Sequence, residues 1–176
     1  MLRATAPLAL LLLSSCWLRT ERELDERLET MSTHLDDYLE GGQALYDGDG
    51  DGFEQAMRAV EKGGELPGMD LGASLDALHA EAKAARQGKT RNERASRFVA
   101  LSGQCAECHT SRGHSAPLGA DEQPPLQAAL VALAWEDEAR WQAASKALRS
   151  DGAKLSEAAD WAARRQALAH VVAAGR

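Results

Sequence analysis

Several residue types are scarce in this chain, and each shortage closes off a class of protein. Only three cysteines occur in 176 residues, too few for the disulfide framework that staples small secreted domains. Aromatic residues make up 5% of the chain and β-branched ones are few, with isoleucine absent, so strands have little to be built from. After the first 16 residues no apolar run approaches the ~20 residues that a membrane-spanning helix needs. Basic residues are outnumbered, 20 against 27 acidic ones, and the formal net charge of −7 argues against nucleic acid as a partner. No nucleophile–base–carboxylate constellation and no phosphate-cradling glycine loop is visible, so the chain does not read as an enzyme.

What is present is concentrated in Cys105-Ala106-Glu107-Cys108-His109. C-x-x-C-H is the pattern by which c-type haem is attached: two thiols bond covalently to the haem vinyl groups, and the adjacent imidazole reaches the iron from the proximal side. On a helix, Cys105, Cys108 and His109 stand at i, i+3 and i+4, so all three point to one side. A thioredoxin-like redox pair would want a βαβ pattern, and a structural zinc site a second ligand pair; the chain has neither. Nothing after His109 repeats the motif, so one haem c is the limit.

The third cysteine has a separate explanation. Arg3 gives a positive start, Pro7 to Leu13 is a short apolar run, and small residues precede Cys16, so residues 1–15 read as an export signal. Leu13-Ser14-Ser15-Cys16 resembles the lipobox of bacterial lipoproteins, in which the signal is cut before a cysteine whose thiol is lipidated. That resemblance implies a membrane tether facing the periplasm, and Trp17 after the cysteine implies sorting to the outer membrane. Export agrees with c-type haem, which is attached on the outer side of the bacterial inner membrane.

Ala, Leu, Glu and Arg dominate the rest, with Gly and Pro at intervals of about a helix, which predicts an all-α fold. The first helix is expected over about 21–46, with Leu24, Leu28, Met31, Leu35 and Tyr38 as its apolar stripe. The second is expected over 52–62, before Gly63-Gly64 and Pro67-Gly68, and the third over 70–87, with Leu71, Leu75, Leu78, Ala82 and Ala85 on one face. A capping box at Thr90-Arg91-Asn92-Glu93 opens the fourth, which runs into the haem motif.

Between the first two helices, the aspartate-glycine run opens like a calcium-binding EF-hand loop. With Asp47 as position one, Gly52 fits position six, but Arg58 stands at twelve where a bidentate glutamate is needed. The run is therefore read as an interhelical turn, with Asp51 available as a cap. Residues 113–125 form a linker by composition, and 126–176 a smaller helical extension resembling the start of a second bundle module. In it Leu126, Leu130 and Leu133 share a face, a break is expected at Trp135 to Asp137, and two further stripes follow: Trp141, Ala144 and Leu148, then Leu155, Ala158, Ala162, Ala169 and Val172.

Residues 20–112 resemble the class II cytochromes c, which include cytochrome c prime and cytochrome c556. The resemblance rests on the four-helix pattern ending in Cys105-Ala106-Glu107-Cys108-His109 and on Arg27-Leu28-Glu29-Thr30-Met31 in the first helix. It implies an antiparallel four-helix bundle with haem c on its fourth helix, Arg27 near a haem propionate and Met31 facing the iron. The family's motif lies close to the carboxyl terminus, whereas here residues 110–176 follow it. A class I arrangement would draw its methionine from downstream, and no methionine follows residue 69.

Cys105 and Cys108 are thus expected to hold the haem, with His109 as proximal iron ligand and Met31 or His34 as distal ligand. His79, His114 and His170 are weaker candidates, and Met57 and Met69 read as packing or loop residues. Six-coordinate iron implies one-electron transfer to redox partners, steered by the acidic surface towards basic docking faces. Five-coordinate iron would instead imply a module that binds or senses NO or CO. Homodimerisation is common in bundles of this kind.

Overall fold

The computed structural model describes residues 6–63, 71–112, 123–148 and 155–175, and for 6–21, 23, 24, 28, 112 and 156 the backbone alone. The side chain of Cys16, Met69, His114 and most of the expected linker therefore lie outside the described residues. Among the described residues the fold is all-helical, as expected: α1 (Ala6–Asp47), α2 (Gly50–Lys62), α3 (Gly72–Arg86), α4 (Arg91–Arg112), α5 (Pro125–Trp135), α6 (Glu138–Ala147) and α7 (Trp161–Ala174), with a 3-10 turn at Leu155–Glu157. No helix among the described residues is long and apolar enough to cross a membrane.

Local signals set most of these boundaries. Thr90 Oγ1 accepts from the Glu93 amide at 3.1 Å and Glu93 Oε2 accepts from the Thr90 amide at 3.3 Å, so the capping box forms as the sequence predicts. In the aspartate-glycine turn Asp49, rather than Asp51, is the cap: its Oδ1 accepts from the Gly52 amide at 2.9 Å. Gly48 supplies the positive φ of 80° that lets the chain reverse there. The expected break after α5 is also present, with Glu136 in the left-handed region and Asp137 capping α6.

Helices α1 to α4 pack in chain order, α1 on α2, α2 on α3 and α3 on α4. The fourth side of this arrangement is not a direct α1–α4 contact. Those two helices touch only slightly, and α5 and α7 each lie against both. α5 is buried on all sides, at Leu126 and at every residue from Ala128 to Ala134, because Pro125–Trp135 carries one polar residue, Gln127. The expected single face of Leu126, Leu130 and Leu133 is thus a whole buried helix. One core joins Phe53, Met57 and Phe98 to Leu130, Trp141 and Leu168, so the helices of 126–176 share it with those of 20–112.

On α7 the inner position falls to Arg164 while Ala162, expected on the buried stripe, is exposed. The guanidinium of Arg164 lies 4.4 Å over the Trp161 ring and 5.8 Å from that of Trp141, and both its terminal nitrogens donate to the Glu138 carboxylate. Stacking and pairing together make a buried cation tolerable. The donated bonds hold the Glu138 carboxyl below the usual carboxylate range.

Gly41 and Gly42 let α1 press onto the core. A Cβ at Gly42 would overlap Leu130 Cδ1 and stand 3.0 Å from Phe98 Cζ, and both side chains are fully buried and unable to yield. Gly42→Ala gains up to about 1 kcal/mol of helix propensity. It loses about 1–3 kcal/mol by overpacking. The net expectation is a lower urea midpoint, whereas Gly103→Ala, whose Cβ meets Arg165 at an ordinary 3.6 Å, raises it. A stabilised Gly42→Ala protein would show that the α1–α5 contact is looser than described.

Candidate functional site

Cys105, Cys108 and His109 lie on the last turns of α4, at the helical spacing that puts them on one wall of a cavity. The room enclosed between these walls is small, about 60 Å³, and it opens to solvent at its mouth. The opposite wall is α1, through Met31, His34, Leu35 and Tyr38. Leu71, Leu75 and Leu78 close the α3 side, and Ala134 and Trp135 of α5 close the side behind His109. Both candidate distal ligands therefore face the motif across one apolar space, although 70 or more residues separate them in sequence.

His109 is held from behind. Its Nδ1 lies 2.9 Å from the backbone carbonyl of Ala134, and its ring stacks on Trp135 with centroids 4.0 Å apart and planes 16° apart. A carbonyl can only accept, so Nδ1 carries a proton.

His34 has no such anchor. Both of its ring nitrogens are buried without a hydrogen-bond partner, and a Cβ on Gly63 would stand 3.5 Å from Nδ1. Burial, reinforced by neighbouring His79 and His109, pushes its pKa down to about 4, so it is neutral at physiological pH. An unpaired buried polar group costs about 1–3 kcal/mol unless something satisfies it.

The other candidates are placed differently. His79 Nε2 donates to the Gly63 carbonyl at 2.8 Å, and His170 is exposed on α7 beside a separate groove. Met57 is fully buried in the core, as expected for packing. Arg27 stands one turn before Met31 on α1 and is not part of the cavity lining. Tyr38 is buried and stacks on Phe98, with ring centroids 4.8 Å apart.

No protein-family profile, no curated protein and no solved structure matches the chain. The site must therefore be judged by its own chemistry. Burial, with Cys108 nearby, pushes the Cys105 thiol up to about 12, the opposite of the lowered value of a thiol poised for exchange chemistry. The lining suits a largely apolar group that carries a metal: most of its residues are apolar, and two thiols, two imidazoles and a thioether are among them. Were a covalently held haem present, Cys105 and Cys108 would be its attachment points and His109, with Met31 or His34, its candidate iron ligands, all of them in this lining.

Ala134 and Trp135 are the site residues that sequence reasoning missed. The break at Trp135 to Asp137 was legible, but nothing local connects it to His109, which precedes it by 25 residues or more.

Proposed function

We propose that this chain is a c-type cytochrome, an exported and lipid-anchored one-electron carrier on the periplasmic face of a bacterial membrane. In this reading His109 and His34 would hold its iron. The observation that carries it is one cavity lined by His109, whose Nδ1 is held by the Ala134 carbonyl, by His34, whose buried ring nitrogens have no hydrogen-bond partner, and by both motif cysteines. The bound group would supply an iron couple that gains and loses one electron with little rearrangement when both axial positions are filled. The chain's residues supply the rest: the thiols anchor, His109 is oriented before binding, and the leucines of α1 and α3 exclude water from the inner face. The acidic surface favours a partner with a basic docking face.

Intact mass of the protein from a host able to attach haem tests this directly. The expected product carries one haem, begins at a lipidated Cys16, and loses the haem in the Cys105→Ser, Cys108→Ser double variant. Free thiols or bound zinc with no haem would overturn the reading. A haem-loaded protein with an unmodified amino terminus would remove the membrane tether alone.

A further inference from the structure

The corner between α5 and α6 is built around His109 in a way that packing alone does not require. Ala134 lies in the last turn of α5, where helix carbonyls lack an intrahelical amide partner. The Glu136 and Asp137 amides both return to the Ala132 carbonyl, and the Ala134 carbonyl accepts from His109. The negative end of the α5 dipole therefore points at the protonated nitrogen of this imidazole. Trp135, next in the chain, lies flat against the same ring and prevents it from turning about its own axis.

The corner is itself latched. Glu136 adopts the left-handed conformation, φ 51° and ψ 41°, and its carboxylate pairs with Arg165 of α7 at 2.9 Å. Arg165 Nε donates in turn to Ser102 Oγ at 3.1 Å, and Ser102 is about two turns before His109 on the same face of α4. A non-glycine residue held at positive φ is a small local cost that the surrounding contacts must sustain. Here those contacts tie the corner back to the helix that bears His109.

We propose that the α5–α6 corner is the positioning device for the proximal ligand: the Ala134 carbonyl and the Trp135 ring fix the plane and raise the electron donation of His109, and so set the reduction potential of the site. The inference rests on the haem reading above and goes beyond it, because it makes the carboxyl-terminal helices part of the redox centre. A hydrogen bond from a metal-bound imidazole to a carbonyl makes the imidazole a stronger donor and favours the oxidised metal. Loosening the corner therefore moves the potential upward.

The test is a redox titration of haem-loaded Trp135→Leu, Trp135→Phe and Trp161→Leu proteins. Trp161→Leu removes a ring of the same size from α7, away from His109, and serves as the control for general loosening. Expected are an upward shift of the midpoint in Trp135→Leu, a midpoint near the parent in Trp135→Phe, which keeps a flat ring in the stack, and no shift in Trp161→Leu. A parent-like midpoint in Trp135→Leu, or an equal shift in Trp161→Leu, overturns the proposal while leaving the haem reading intact. If Trp135→Leu fails to load, Trp135→Met, which keeps bulk but not the ring, is titrated with the same two outcomes. A parent protein that carries no haem overturns both readings before any titration is made.

Discussion

His34→Ala is expected to convert a low-spin spectrum with sharp reduced bands into a high-spin one, and to open the reduced iron to rapid binding of carbon monoxide. Met31→Ala is expected to leave the spectrum low-spin. The two side chains lie three residues apart on the same face of α1 and line the same cavity, so position does not separate them. Energetics does. A thioether is at home in an apolar pocket and loses nothing by lacking a partner. An imidazole with both nitrogens buried and unpaired, as at His34, carries a penalty on the order of 1–3 kcal/mol for each unsatisfied group, and metal coordination would relieve it at one nitrogen. The other histidines do not compete, since His79 is engaged with Gly63 and His170 is exposed. If Met31→Ala is the variant that turns high-spin, the thioether is the ligand and the potential rises accordingly. If the parent protein is already high-spin and neither substitution changes it, the iron is open and the module is a binder of small gases instead of an electron carrier.

Phe98→Ala is expected to lower stability by about 3–5 kcal/mol, the range for truncating a large buried aromatic. That would be a large share of the roughly 5–15 kcal/mol by which domains of this size are stable. Phe98 is fully buried, stacks on Tyr38, and meets Phe53 edge-on with ring centroids 6.0 Å apart. It also fills the space left beside α1 by Gly41 and Gly42. With only two phenylalanines and two tyrosines in the chain, three of these four rings meet at this point, and no neighbouring aromatic can swing in to fill the gap. Denaturant unfolding of the haem-loaded protein, with Phe98→Leu as the partial truncation, measures it. A loss below about 1 kcal/mol for alanine would mean that α1 and α4 collapse readily onto the cavity.

Both expectations concern α1 facing α4, and both show where reading from sequence stops. The capping box at Thr90 and Glu93, the break at Trp135 to Asp137 and the one-sided display of Cys105, Cys108 and His109 were legible, because each depends on residues within about four positions of one another. The stripe carrying Met31, His34 and Tyr38 was legible as apolar, but what it faces was not. The choice of Asp49 over Asp51 as cap turned on where the turn placed the first helical residue, a matter of one or two positions that composition does not resolve. The expected stripe of Leu126, Leu130 and Leu133 missed the burial of α5 on its other sides. Its three leucines looked like one face, while the alanines between them, small enough to be buried or exposed, were packed on every side.

By itself, then, the sequence determined that the chain is helical, where most helices begin and end, and that one turn of α4 carries two thiols and an imidazole in the order haem attachment uses. These are consequences of backbone propensity, capping and the 3.6-residue period, which act over a few residues. Only the tertiary structure decided that His34 stands across a cavity from His109, that α5 lies between α1 and α4, and that the Ala134 carbonyl and Trp135 hold the imidazole. Those placements follow from burying the apolar surfaces of distant segments together, and that closure is set by the shape of the whole core and not by any local run of residues.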